Sequence, residues 1–240
     1  MSISSASSRT GAGIPVVRAL RLVREPARRR VVHRRRPIAR VLDVVLAGAA
    51  LVLAAPVMAL VALLVVGSSR GPALFRQERL GQDRAPFVMY KFRTMYVGSD
   101  DRPHREFIAQ LLAEPALTAS PGGVYKLAHD TRVTRVGRWL RETSLDELPQ
   151  LFNVLKGEMA LVGPRPVLAW EAALFGPAHD ARFDVPPGIT GLWQCSGRNR
   201  LTMTQALDLD VEYVQRRSLR LDLEILARTV PGVLKRVGVR

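Results

Sequence analysis

The chain has 240 residues, one cysteine and a formal net charge of +15; 24% of residues are charged and 48% are apolar. The length suits one medium domain plus an appendage, and a lone cysteine, Cys195, excludes an internal disulfide. Residues 1–40 hold 11 arginines against one acid, Glu25, a local balance of +10 that leaves only +5 for the rest and excludes a uniformly basic nucleic-acid domain.

Residues 1–13, rich in Ser, Ala and Gly, are expected to be disordered. Residues 14–40 follow with Arg28-Arg29-Arg30 and Arg34-Arg35-Arg36. Such an arm suits either a nucleic-acid tail or a juxtamembrane segment lying on an anionic leaflet. It does not read as a cleavable signal peptide, because the apolar stretch starts too late and lacks a small-residue cleavage site.

Residues 41–66 are apolar except for Asp43. As one helix they measure about 39 Å, enough for a hydrocarbon core of roughly 30 Å. Pro56, near the middle, removes a helix hydrogen bond and crowds the preceding turn. Both flanks are positive: Arg34, Arg35, Arg36 and Arg40 before, Arg70, Arg76 and Arg79 after. Positive flanks stay on the cytoplasmic side. A span would place one of them outside, whereas a hairpin bent at Ala55-Pro56 keeps both inside. The expectation is a re-entrant helix-break-helix over 38–68.

Residues 73–81 and 87–95 read as two short strands around the turn Gly81-Gln82-Asp83-Arg84. Period-2 alternation puts Lys91 and Arg93 on one face, as a solvated strand edge or as a phosphate-facing pair. A helix is expected over 100–117, then a loop containing Gly122-Gly123. His129-Asp130 reads as a surface pair.

A basic strip, Arg132, Arg135, Arg138 and Arg141, leads into the central stretch from Glu142 to Met159 and on through Gly163-Pro164-Arg165-Pro166. Asp146 and Glu147 stand before an apolar helical run that stops at Gly157. Two readings stay open for them. Ser144 with Glu147 fits a capping box, or Asp146 is itself the N-cap with Pro149 in the first turn. Alternatively, acid beside base next to a rigid loop holds a metal and a phosphate. Helix-start N–H groups favour anions, so both can coexist. Further on, 167–175 suits a helix, Pro186-Pro187-Gly188-Ile189-Thr190-Gly191 a rigid turn, and Leu192-Trp193-Gln194 a short strand at most. Residues 204–218 and 219–237 carry apolar residues at helical spacing, with Arg216, Arg217 and Arg220 suiting a membrane surface.

Lys91-Phe92-Arg93-Thr94-Met95, the run from Ser144 through Pro166, and Pro187-Gly188-Ile189-Thr190-Gly191 with Gly197-Arg198-Asn199 together resemble the bacterial sugar transferases, the monotopic polyprenyl-phosphate phosphoglycosyl transferases, in their minimal form. The resemblance covers residues 38–238. It implies an α+β fold, mainly helical with short β-hairpin elements, on a monotopic membrane protein. Its parts are the arm over 1–37, the re-entrant hairpin over 38–68 and a catalytic domain over 69–240 at the cytoplasmic face of the bacterial inner membrane.

The implied reaction moves a sugar-1-phosphate from a nucleotide diphosphate sugar, a UDP-hexose in expectation, to polyprenyl (undecaprenyl) phosphate, with Mg2+ as cofactor. By the same resemblance Asp146 is the nucleophile, Glu147 a magnesium ligand beside it, and Arg141 supports the pair. Pro164, Arg165 and Pro166 sit by the nucleotide, and Arg198 meets a phosphate; Lys91 and Arg93 are further phosphate candidates. Ala55, where the family has serine before the proline, and Pro186, where it often has arginine, depart from the pattern. No nucleic acid is expected as partner, and a homodimer is compatible. The competing readings are a membrane-anchored metal-dependent phosphodiesterase or nucleotidyl transferase, and a non-enzymatic scaffold working through the arm.

Overall fold

A computed structural model describes residues 36–113, 130–196 and 201–234. The arm up to residue 35, the loop with Gly122-Gly123 and His129, and the turn holding Arg198 lie outside the described residues. The described part is mostly helical with two small sheets.

Helix α1 runs unbroken from Pro37 to Ser68, with Pro37 at its first position, where no N–H is needed. The expected break at Ala55-Pro56 does not interrupt it: Pro56 lies inside the helix. The proline removes one hydrogen bond and crowds the carbonyl of Val52, a local loss that flanking turns of a long apolar helix tolerate. One stripe of α1 rests on the rest of the protein. Ala47 packs with Phe87, Met89, Leu151 and Val154, and Val61 and Val65 pack with Phe92 and Leu140. The rest is bare, with Val52 76% and Leu53 79% exposed. Among the described residues it is the one helix long and apolar enough to cross a membrane, and only 11% of its most apolar window is buried, unlike a soluble core helix.

Polar contacts hold both ends of α1. At the start, Arg36 pairs with Asp222 at 3.1 Å, and Arg40 donates to the carbonyls of Val154 and Leu155 at 2.6 and 2.9 Å. One turn on, Asp43 accepts from the Leu161 amide at 3.1 Å. At the far end Arg93 spends its whole guanidinium on backbone carbonyls: Nε donates to Pro72, Nη1 to Arg70, and Nη2 to Val65, Ser69 and Gly71, at 2.6–3.3 Å. A cation here answers the unpaired carbonyls and the negative end of the helix dipole.

The hairpin appears as expected. Strand β1, Leu74–Leu80, pairs antiparallel with β2, Pro86–Phe92, in a register that sets Leu74 against Phe92. Helix α2, Arg102–Ala113, packs through Ile108 and Leu111 on Met203 and Leu207 of a later helix. Helix α3, Arg135–Thr143, carries the basic strip; Thr134 caps it, accepting from the Gly137 amide at 2.8 Å. Gly137 is required there, because a Cβ would stand 2.0 Å from the Thr94 carbonyl oxygen. A 3-10 turn, Leu145–Glu147, leads to α4, Gln150–Lys156, which ends at Gly157 with φ 85°.

Strand β3, Ala160–Val162, then pairs in parallel with β4, Gly188–Thr190. Between them lie α5, Ala169–Leu174, and a 3-10 segment, Pro177–Phe183. Leu192–Cys195 is a short helix, α6, and not the expected strand. The strand is the preceding Gly188–Thr190, and it pairs because its glycine permits close approach: a Cβ on Gly188 would lie 2.0 Å from the Gly163 nitrogen. Helices α7, Met203–Arg216, and α8, Leu219–Leu234, close the structure around Tyr213, Val214 and Ile225.

Replacing Arg93 by lysine removes the forked donor set and leaves most of those carbonyls unmet. Arg93→Lys is expected to lower stability by about 2–4 kcal/mol in a thermal or denaturant melt of the detergent-solubilised protein.

Candidate active site

The carboxylate pair sits at a sharp reversal. Helix α3 ends at Ser144, a non-glycine residue in the left-handed region at φ 58°, ψ 15°. Such a conformation costs of order 1–3 kcal/mol and persists where surroundings fix it. The expected capping role is not observed: Ser144 makes no side-chain cap, and Pro149 occupies the position before α4. Residues 145–147 form a 3-10 turn, in which neighbours point about 120° apart. Asp146 therefore turns inward and is 8% exposed, while the Glu147 carboxylate meets Lys91 Nζ at 2.8 Å.

Arg141 stands on the inner side with Asp146. Burial pulls its pKa down, and the charges of Asp146 and Asp130 oppose that pull. An arginine stays protonated regardless. Its Nε donates to Thr94 Oγ1 at 2.9 Å, and the backbone of Thr94 is pinned in turn, its carbonyl accepting from the Thr134 amide at 3.0 Å. The fourth residue of Lys91–Met95 thus aims the arginine at the carboxylate, a role that sequence alone did not assign. The rest of the strip faces elsewhere: Arg132 pairs with Asp130 at 2.7 Å, and Arg135 and Arg138 are exposed.

A small cleft opens beside the pair, lined by Lys91, Glu147, Gln150, Arg165, Pro166 and Gln194 among others. Lys91, Glu147, Arg165 and Pro166 are thus brought together as expected of one site. Arg93 is not part of it, because β2 ends at Phe92 and the alternation that would have paired Arg93 with Lys91 stops there. We reassign Arg93 to the end of α1. Asn153, also missed from sequence, docks α4 on the hairpin. Its amide accepts from the Tyr90 N–H at 3.1 Å and donates to the Val88 carbonyl at 2.6 Å, as a neighbouring strand would.

The Pro164–Pro166 loop is held from behind through its carbonyls. Pro164 accepts from the Gly188 amide at 2.9 Å, Arg165 from Arg182 Nη2 at 2.8 Å, and Pro166 from Arg79 Nη1 at 3.3 Å. Each of these arginines is paired with a buried acid: Arg182 with Asp210 at 2.7 Å and Arg79 with Glu171 at 3.3 Å. Burial pushes the Asp210 carboxyl up to about 6 against the pull of Arg182 and Arg165.

The donor set fits Mg2+. This ion uses one or two carboxylates and completes its shell with phosphate oxygens and water, rather than a cage built by protein alone. Glu147 supplies a carboxylate at the cleft, with that of Asp146 next to it in sequence and turned inward, and among the described residues no group of three or more metal-ligating side chains occurs.

Residues 34–236 match the bacterial sugar transferase family. The chain is 40% identical over 207 residues to the UDP-galactose-lipid carrier transferase of Erwinia amylovora, covering 86% of this chain and 42% of that protein. It is 41% identical over 200 residues to the undecaprenyl-phosphate galactose phosphotransferase of Salmonella typhimurium, covering 83% and 41%. A third relative, the UDP-glucose:undecaprenyl-phosphate glucose-1-phosphate transferase of Caulobacter vibrioides, is 43% identical over 203 residues, covering 81% and 69%. The chain spans about two fifths of the length of the first two relatives. It belongs to the bacterial sugar transferase family.

Glu171 offers a pH test of the framework behind the loop. Burial would raise its pKa, but the hydrogen bond with His104, the charge of Arg79 and the Leu168 amide outweigh burial and lower it. A carboxylate with a lowered folded pKa stabilises above its unfolded value, about 4.3, and loses that contribution as pH falls through the folded one. Wild-type stability is therefore expected to fall on acidification below about pH 4.5, and Glu171→Gln to flatten that decline in melts taken across the acid range.

Proposed function

We propose that this chain transfers a sugar-1-phosphate from a nucleotide diphosphate sugar, with a UDP-hexose as donor, to polyprenyl phosphate, releasing the nucleoside monophosphate. The observation that carries the reading is the division of labour in the 3-10 turn. Asp146 is held inward with Arg141, while Glu147 faces Lys91 and Arg165 in the adjoining cleft. The named activities of the relatives support the same reaction class.

In the first step an Asp146 carboxylate oxygen attacks the phosphorus that bears the sugar. The bond from that phosphorus to the bridging oxygen breaks, and the nucleoside monophosphate leaves with the electron pair. An acyl phosphate linking Asp146 to the sugar remains. In the second step an oxygen of polyprenyl phosphate attacks the same phosphorus, and the Asp146 carboxylate leaves. Arg141 keeps Asp146 ionised and aimed. Lys91 and Arg165 offset the charge spread over the phosphoryl oxygens. Glu147, with Asp146 beside it, would hold Mg2+, which supplies further charge neutralisation on the diphosphate when bound.

Helix α1, seated in the membrane, would hold this site at the level of the lipid headgroups. Its two ends contact the same body, Arg36 on Asp222 and Ser69 on Arg93, which supports an unbroken helix seated in one leaflet with both ends on the same side. The positive flanks favour the cytoplasmic face. The arginine-rich arm would meet anionic lipid there.

Asp146→Asn is expected to reduce nucleoside monophosphate release, assayed with UDP-hexose, Mg2+ and undecaprenyl phosphate, by at least about a thousandfold at unchanged membrane content. A near-wild-type rate would remove Asp146 as nucleophile. Product on lipid only when undecaprenyl phosphate is supplied separates the transferase from a phosphodiesterase.

A further inference from the structure

The loop Pro164-Arg165-Pro166 cannot anchor itself through its prolines, which have no N–H. It is held by donors to all three of its carbonyls, and two of the three are arginines from distant parts of the chain. Behind each arginine stands an acid: the side chains of Arg182 and Asp210 are 1% and 2% exposed, and those of Arg79 and Glu171 9% and 1%. We propose that the Arg182–Asp210 and Arg79–Glu171 pairs are positioning residues that fix the backbone of this loop, so that Arg165 is presented ready-aimed to the diphosphate of the donor. This rests on the reading of the cleft as the donor site.

Stability alone does not explain the pairs. A buried ion pair contributes little or nothing over a well-packed apolar one. The Arg182–Asp210 pair leaves Arg182 Nε and Nη1 and Asp210 Oδ1 without a hydrogen-bond partner among the described residues. The guanidinium lies 5.1 Å from the Phe175 ring and 5.6 Å from that of Phe183, faces on which an apolar side chain of similar length could also pack. What an apolar pair cannot do is donate to the Arg165 carbonyl.

Electrostatics links the same residues. The charge of Arg165 is felt by both acids, Glu171 and Asp210. Arg165 itself lines the cleft. Fixed φ at two prolines and fixed carbonyls at three residues hold that charge where a diphosphate needs it, so little ordering remains to be done on binding.

The test uses the full chain in lipid nanodiscs and the double variant Arg182→Met with Asp210→Leu, which keeps the volume and deletes the donor. Its melting temperature is expected to fall by no more than several degrees, the effect of one carbonyl left without its donor. The KM for the better of UDP-glucose and UDP-galactose is expected to rise about tenfold or more, while the KM for undecaprenyl phosphate stays unchanged. A wild-type donor KM in the folded double variant overturns the proposal. If the double variant does not accumulate, Arg182→Lys carries the same test. It leaves Asp210 with a cation, but its ammonium stands one bond nearer the backbone than Nη2, the nitrogen that donates to both Asp210 and the Arg165 carbonyl. A raised donor KM supports the proposal and an unchanged one overturns it. Wild-type protein that releases no nucleotide from either sugar refutes the reading of the cleft instead.

Discussion

Arginine guanidinium on backbone carbonyl is the contact on which this structure depends. Arg40 closes the end of α4 through the carbonyls of Val154 and Leu155, and Arg93 closes the end of α1 through five carbonyls between Val65 and Pro72. Each answers the unpaired acceptors of a last helical turn with a charged fork, a geometry lysine does not offer. Together they fix both halves of an apolar helix to the elements that carry the site: α4 follows the carboxylate pair, and Arg93 lies two residues beyond Lys91. The long apolar helix and the site are therefore one unit, so the seating of that helix and the geometry of the site cannot vary independently.

The site follows from two backbone choices. A left-handed Ser144 ends α3 abruptly, and the tight 3-10 turn after it splits adjacent carboxylates between an inner and an outer face. On the far side of the cleft a proline-flanked arginine is supported from behind by buried charge. Both halves are prearranged, as electrostatic stabilisation of a phosphoryl group requires, because a group that must first move into place gives up part of its effect.

Much of this was legible in the sequence, and the failures have physical reasons. The β1–β2 hairpin, the apolar helix, the stop at Gly157 and the C-terminal helices follow from local period and turn chemistry, which neighbouring residues decide. Arg93 was misassigned because period-2 alternation holds only while the strand lasts, and β2 ends one residue earlier. The cap expected at Ser144 gave way to a left-handed residue, since the pattern Ser-Leu-Asp-Glu does not encode the φ imposed by docking α3 on Thr94 through Gly137. The β3–β4 pair has three residues per strand and joins segments about 28 residues apart, too short to show a period. Arg182 and Asp210 are equally invisible, because only the folded chain brings a cation and an acid of separate elements behind the Pro164–Pro166 loop.

The decisive measurement is the sidedness of the two ends of α1. Single cysteines at position 31 and position 69, introduced as Val31→Cys and Ser69→Cys in a Cys195→Ser background, are challenged with a membrane-impermeant thiol reagent in sealed vesicles of each orientation. Both cysteines are expected to react from the same face, the one that also exposes the carboxylate pair. Reaction of the two from opposite faces would contradict a helix seated with both ends on one side, and with it the placement of the site where a soluble donor meets a lipid acceptor.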